Sequence, residues 1–128
     1  MMDPGDAIDA KVWESTGLFL MARVLGNNGT AITQASISSI RLTSFQMPGG
    51  EQAYTAPLTV STVVFNTLQT SDPRWTDDTT GYNFAATVPA AAFPVGDVSY
   101  RVEAVLTPVS GDPIAVVADV QVGRLYSS

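Results

Sequence analysis

Three aspartates, Asp72, Asp77 and Asp78, lie in the segment 63–84, where the chain concentrates its unusual side chains. A calcium ion requires several carboxylate oxygens close together. The Asp-x-Asp-x-Asp-Gly order of an EF-hand loop does not occur here, and aspartate beside proline or threonine is also typical of turns. The sequence therefore favours solvated loop acids, with no metal and no cofactor, and leaves calcium binding as the alternative.

The same segment holds Trp75 directly after Arg74, with Tyr82 close behind. An indole flanked by polar side chains can stack on a sugar ring. A tryptophan in a long loop also serves as a lid that covers the core, or as a contact for a protein partner. The sequence favours the lid, and it favours recognition over chemistry if the segment has a function.

Catalysis is disfavoured by what the chain lacks. It contains no histidine and no cysteine, so the commonest general base and every Ser-His or Cys-His pair are excluded. A glycosidase needs two carboxyl groups roughly 5–10 Å apart in a cleft. Asp77 and Asp78 are neighbours, and neighbouring side chains on an extended chain point to opposite sides. The prediction is that the protein is not an enzyme.

The composition indicates one small domain with a weakly charged surface. The chain has 128 residues, 45% of them hydrophobic and 14% charged, against about 25% charged in an average domain. Interface cores are depleted in charge, so the sequence suggests protein partners or self-assembly. The net charge of −6 disfavours nucleic acid and anionic membranes as partners.

The cellular location is left open by the sequence. No apolar stretch approaches the roughly 18 residues of a spanning helix. The first ten residues are acidic and polar, unlike a secretory signal. A virus particle or an extracellular surface is favoured by analogy only.

Alternating apolar residues predict about seven short strands, hence an all-β sandwich of two antiparallel sheets. Residues 1–11 are predicted to form a flexible arm and 12–128 a single domain. A strand over 17–25 is apolar on both faces, so it is central or partly covered from outside. The cleanest strands are expected over 82–88, 98–106 and 114–122.

Several irregularities are also predicted along the chain. A bulge is expected near Ser38-Ser39, a loop over 48–57, and a bulge or sheet crossing near Thr62. The proline-bounded segment 89–94 is expected to form a crossover with a single helical turn. Its Phe93 is predicted to fill the core.

The last third of the chain resembles immunoglobulin-like domains. Among these it is most similar in style to fibronectin type III modules. Pro89…Phe93-Pro94, the strand from Val98 and the Pro108…Gly111 turn are similar to an E–F crossover, F strand and F–G hairpin. Tyr100 stands where a tyrosine-corner residue would. The resemblance covers roughly residues 80–123 and implies an immunoglobulin-like sandwich without the B–F cysteines. The segment 68–82 is longer than such domains usually carry.

The expected function is a non-enzymatic structural or protein-interaction module, such as a decoration or tail component of a phage or virus particle. The alternative is a carbohydrate- or calcium-binding module of a bacterial surface protein. Trp13 and the pair Leu125-Tyr126 are candidate contact residues near the two ends. Trp13 either folds back onto the edge of its own core or docks into a neighbouring subunit.

Overall fold

Residues 7–126 of the chain, which a computed structural model describes, form eight strands and one short α-helix. The helix is α1 (Val60–Val63), and single 3₁₀ turns occupy Gln34–Ser36 and Ala90–Ala92. The strands are β1 (Ile8–Trp13), β2 (Leu18–Ala22), β3 (Ile37–Met47), β4 (Glu51–Leu58), β5 (Val64–Gln69), β6 (Tyr82–Val88), β7 (Val98–Pro108) and β8 (Ile114–Gly123). No helix in this part of the chain is long and apolar enough to cross a membrane.

The strands form two packed sheets. The larger sheet has the order β1-β8-β7-β3-β4, and the smaller sheet has the order β2-β6-β5. Neighbouring strands are antiparallel except β1 and β8, which run parallel with Ile8 opposite Ala118 and Trp13 opposite Gly123. The predicted all-β, two-sheet sandwich is confirmed, with one parallel pair that the sequence did not indicate.

The core lies between the sheets and is built from alternate residues of nearly every strand. Its fully buried members with the largest side chains are Tyr100, Phe84, Phe93, Leu20, Leu42 and Leu106. Burial of one such apolar side chain contributes about 1.5–3 kcal/mol to the free energy of folding. Phe84 on β6 and Tyr100 and Leu106 on β7 face inward, as predicted.

The crossover between β6 and β7 is anchored by Tyr100. The Tyr100 hydroxyl accepts a hydrogen bond from the Val95 amide at 3.2 Å. The Phe93 ring is fully buried and meets the Tyr100 ring edge-on, with centroids 5.6 Å apart. The predicted helical turn and the role of Phe93 as a core residue are both confirmed.

Two predicted irregularities are confirmed. The register of β3 against β7 shifts between Ile37 and Ser39, which is the bulge expected near Ser38-Ser39. The chain leaves the larger sheet after β4, makes the turn α1 around Thr62, and enters the smaller sheet as β5. The crossing lets one continuous stretch of sequence contribute an edge strand to each sheet.

The predicted arm and loop need correction. Residues 8–11, assigned to a flexible arm, belong to β1, because Ile8, Ala10 and Val12 face the core while Asp9 and Lys11 face outward; residues 1–6 lie outside the described residues. The predicted loop 48–57 is largely β4, whose Pro57 is tolerated because β4 lies at a sheet edge.

The strand predicted over 17–25 is shorter than expected and lies at an edge. It corresponds to β2, which pairs with β6 and is the first strand of the smaller sheet. Leu20 and Ala22 are buried, whereas Phe19 and Met21 occupy the outer face and are half-buried. Its apolar outer face is partly covered by the segment that follows β5, because the Arg74 guanidinium lies over the Phe19 ring.

Candidate functional site

The segment 70–81, which we call the β5–β6 connection, folds back over the outer face of the smaller sheet. Its Arg74 guanidinium lies 3.7 Å from the centroid of the Phe19 ring on β2. A cation over an aromatic ring is attracted by the negative ring face. The connection is therefore held against the sheet by a contact to a strand far away in sequence.

Trp75 closes a small aromatic cluster beneath this connection. Its ring lies 5.6 Å from the ring of Tyr82, which in turn meets the Phe65 ring edge-on at 5.7 Å. Tyr82 is buried and Trp75 is half-buried. Small apolar clusters commonly form under long loops, in addition to the main core. The geometry supports the lid interpretation of Trp75.

Asp78 organises the connection from its centre. Its Oδ1 accepts hydrogen bonds from the amides of Thr80 and Gly81, both at 3.0 Å, and from Trp75 Nε1 at 3.2 Å. Its Oδ2 lies 2.8 Å from the Arg23 guanidinium. The Gly81 amide, and after it Arg23 and Trp75, hold the pKa of Asp78 far below its usual range, because each stabilises the charged carboxylate.

Arg23 joins the connection to the chain just after β2. Its side chain is only 11% exposed, and besides Asp78 it donates to the Gly81 carbonyl at 3.0 Å. Gly81 has a φ of +104°, and a Cβ there would overlap the Gln69 carbonyl. Sequence reasoning missed Arg23 as a partner, although a lone arginine beside an apolar strand was a usable signal.

Asp72 and Arg74 form a second, exposed ion pair at the tip of the connection. Arg74 Nε and Nη2 bind the two oxygens of Asp72 at 3.0 and 2.8 Å, and the Arg74 amide binds Oδ1 at 2.9 Å. This two-pronged contact lowers the pKa of Asp72 to about 2 and raises that of Arg74. Both oxygens of the Asp72 carboxylate are thus already occupied by hydrogen bonds from Arg74.

Asp77 is separated from the acids on either side of it. Its side chain is exposed and joins none of the hydrogen bonds or ion pairs within residues 7–126. Asp72 and Asp78 each already bind a guanidinium, and no cluster of three potential metal ligands occurs among the described residues. A calcium ion would have to displace both arginines.

Asn83 is a structural residue that the sequence did not identify. Its side chain is 1% exposed. Its Oδ1 accepts from the Val24 amide at 2.7 Å, and its Nδ2 donates to the Val24 carbonyl at 3.0 Å. The carboxamide thereby replaces one rung of the β2–β6 ladder where the backbone of β2 diverges.

Trp13 is not part of this cluster. It lies on the outer face of the larger sheet, at the end of β1, and is 58% exposed. The indole is seated on Gly123 of β8, so it folds back onto its own sheet but not onto the core. Arg74, Trp75, Asp78 and Tyr82 are brought together, whereas Trp13 belongs to the opposite face of the sandwich.

The charged side chains of Asp72, Arg74 and Asp78 in the β5–β6 connection are thus already paired, either with each other or with Arg23. No protein-family model matches this chain, and no curated protein matches its sequence.

Proposed function

We propose that this chain is an immunoglobulin-like module that acts as a structural or protein-interaction component and catalyses no reaction. The order β8-β7-β3-β4 corresponds to the G-F-C-C′ strands of such a sandwich, and β2-β6-β5 corresponds to B-E-D. The bond from the Val95 amide to the Tyr100 hydroxyl is of the tyrosine-corner kind. These two features support the immunoglobulin-like assignment.

The observation that carries the proposed interaction is the edge of β2, which pairs with β6 and with no other strand of residues 7–126. Edge strands present unpaired backbone groups, and proteins protect them with lysine, proline or bulges. β1 carries Lys11, β4 carries Pro57, and β5 is irregular in its pairing with β6. β2 has the sequence Leu-Phe-Leu-Met-Ala, with no charge, no proline and no register shift. Such an edge suits addition of a strand from another chain.

The partner proposed for this edge is a second copy of the chain or another component of a larger assembly. A five-residue strand apolar on both faces would add to a continuing sheet without burying a charge. The 14% charged fraction supports a molecule whose surface is partly covered in use. A phage or virus particle is the assembly we propose, by analogy with other β-sandwich components.

Catalysis has little support in the described geometry. Asp72 and Asp78 are each paired with an arginine, and Asp77 is exposed and forms no ion pair with any residue from 7 to 126. The whole chain lacks histidine and cysteine. Within the β5–β6 connection, a general base would therefore have to come from a carboxylate that is already paired with an arginine or is exposed and isolated.

The test is the molar mass in solution, measured by light scattering over a range of concentrations. We expect the mass to rise above the 13.5 kDa of one chain as concentration increases. Met21→Lys, on the outer face of β2, should suppress this rise because it places a charge at the edge. Val109→Lys adds the same charge in the exposed β7–β8 turn and should have no effect. A mass of 13.5 kDa at every concentration would contradict self-assembly.

A further inference from the structure

A groove on the outer face of the larger sheet surrounds Trp13. The residues that line it include Trp13 and Lys11 from β1, Gln121 and Gly123 from β8, Ser99 from β7, and Met47-Pro48 at the end of β3. It is separate from β2 and from the β5–β6 connection. We call it the Trp13 groove.

The indole in this groove has a fixed seat. A Cβ at position 123 would come within 2.8 Å of Trp13 Cζ3, so only glycine lets the benzo edge approach the sheet this closely. More than half of the side chain, 58%, nevertheless remains exposed. An exposed indole held against a strand is a ready-made stacking surface.

The backbone around Trp13 is held by hydrogen bonds. The Trp13 carbonyl accepts from Thr16 Oγ1 at 2.6 Å and from the Thr16 amide at 3.2 Å. The following residue, Glu14, donates its amide to the Gly123 carbonyl at 2.8 Å and accepts from the Leu125 amide at 2.7 Å. A pre-ordered platform reduces the entropy lost when a ligand binds.

A row of polar side chains crosses three strands beside the platform. Lys11 is opposite Gln121, and Gln121 is opposite Ser99, so the three side chains share the outer face. Neighbouring strands are about 4.8 Å apart, which gives the row a length of roughly 10 Å. None of the three side chains makes a hydrogen bond or ion pair within residues 7–126. Together they offer an ammonium, a carboxamide and a hydroxyl.

The groove is close to neutral in charge. Asp97, at its rim, is paired with Arg124 at 3.0 Å, which leaves Lys11 as its one unpaired charge among the described residues. One ammonium is too little for a polyanion, which needs several clustered cations. A purely apolar partner would leave Lys11, Gln121 and Ser99 desolvated without partners, at a cost in free energy.

We propose that the Trp13 groove binds a neutral oligosaccharide. A pyranose ring has an apolar C–H face that stacks on an indole, and hydroxyl groups at its rim that both donate and accept hydrogen bonds. Gln121 and Ser99 bind these hydroxyls, and Lys11 donates to a ring or hydroxyl oxygen. A row of roughly 10 Å accommodates about two sugar units. This site is independent of the edge pairing proposed for β2.

The test uses the full chain with three neutral probes, namely cellohexaose, fully N-acetylated chitohexaose and maltohexaose. Isothermal titration calorimetry gives the affinity, and the indole N–H signal of Trp13 in NMR spectra reports the site; Trp13→Phe assigns that signal. At least one probe should bind and shift the Trp13 signal while that of Trp75 stays in place. Trp13→Ala should weaken binding at least about tenfold, or 1.4 kcal/mol.

Two further variants distinguish the contribution of the polar row from that of the position of the Trp13 indole. Gln121→Ala should weaken binding several-fold with an unchanged melting temperature, because the Gln121 side chain is exposed and makes no hydrogen bond to the rest of residues 7–126. Gly123→Ala should weaken binding without removing a ligand contact, because the added Cβ displaces the indole. Tyr126→Ala is the matched control, since Tyr126 is 92% exposed and should leave the affinity unchanged.

Three outcomes would overturn the proposal. They are no binding of any probe at millimolar concentration, binding that survives Trp13→Ala, and Trp13→Ala that abolishes self-association in place of sugar binding. Light scattering of Met21→Lys tests self-association through β2, whereas calorimetry of Trp13→Ala tests sugar binding. Failure of one proposal can therefore be distinguished from failure of the other.

Discussion

The carboxylate of Asp78 lies 2.8 Å from the guanidinium of Arg23, and this contact joins the β5–β6 connection to the chain just after β2. Arg23 is almost buried, and Asp78 collects three further hydrogen bonds within its own loop. The pair therefore helps to hold the connection over the smaller sheet, together with the contact of Arg74 with Phe19.

Replacing Asp78 with asparagine should loosen the connection. The amide removes the charge that pairs with Arg23 and leaves a nearly buried guanidinium without its carboxylate. We expect a melting temperature lower by several degrees and faster hydrogen exchange at the Thr80 and Gly81 amides. Asp77→Asn is the matched control, because Asp77 is exposed and should change neither. Equal effects of the two substitutions would contradict the role given to Asp78.

The connection should lose its order in acid. The pKa of Asp72 is lowered to about 2 and that of Asp78 is lowered further, whereas an unfolded aspartate titrates near pH ~3.9. A folded-state pKa below the unfolded value contributes stability that is fully present above pH ~4 and is lost as the pH falls further. Trp75 fluorescence, read in a Trp13→Phe background, should be constant from pH 8 to about 4 and change as the pH falls towards about 2, where the folded-state carboxylates take up protons. A transition near neutral pH would show that other groups control the connection.

The two tryptophans should differ in their effect on stability. Trp75→Ala removes the lid from Tyr82 and should lower the free energy of unfolding by about 1–3 kcal/mol, less than for a fully buried aromatic residue. Trp13→Ala should cost less than about 1 kcal/mol, because the Trp13 side chain is mostly exposed. Urea denaturation of both variants measures this difference. An unchanged stability of Trp75→Ala would favour a binding role for Trp75.

Asn83 should be sensitive to substitution. Asn83→Ala leaves the Val24 amide without its partner, whereas the Val24 carbonyl keeps the Ile32 amide as a donor. We expect a cost of about 1–3 kcal/mol if water does not replace the side chain. Asn83→Asp keeps an acceptor but loses the donor to the Val24 carbonyl, so it should also destabilise. Equilibrium unfolding in urea gives both values. Thr87→Ala, an exposed change on the same strand, should stay within about 0.5 kcal/mol of the parent chain.

The period-two patterns of the second half of the chain were sufficient to predict β6, β7 and β8, because each strand has one face in the core. β1 and β4 were missed because proline, glycine or acidic residues near them indicate loops. Their strand conformation is imposed by pairing with β8 and β3. Local sequence carries no signal for such distant pairing.

The candidate site was also predicted only in part, because most of its contacts join residues that are distant in sequence. Trp75 beside Arg74 was recognisable as an unusual pair from adjacent letters. The contacts of Arg74 with Phe19, of Asp78 with Arg23, and of Asn83 with Val24 join distant parts of the chain. They depend on which strands become neighbours, so they appear only once the sheets are assembled.

The parallel pairing of β1 with β8 also determines how the domain responds to tension. If the chain is pulled from both ends, the force enters β1 at Ile8 and leaves β8 at Gly123, at opposite ends of the paired strands. The two strands are then loaded in shear, so their hydrogen bonds must break together and cannot open one after another. We therefore expect the β1–β8 pair to resist stretching of the chain more strongly than a pair that is opened from one end.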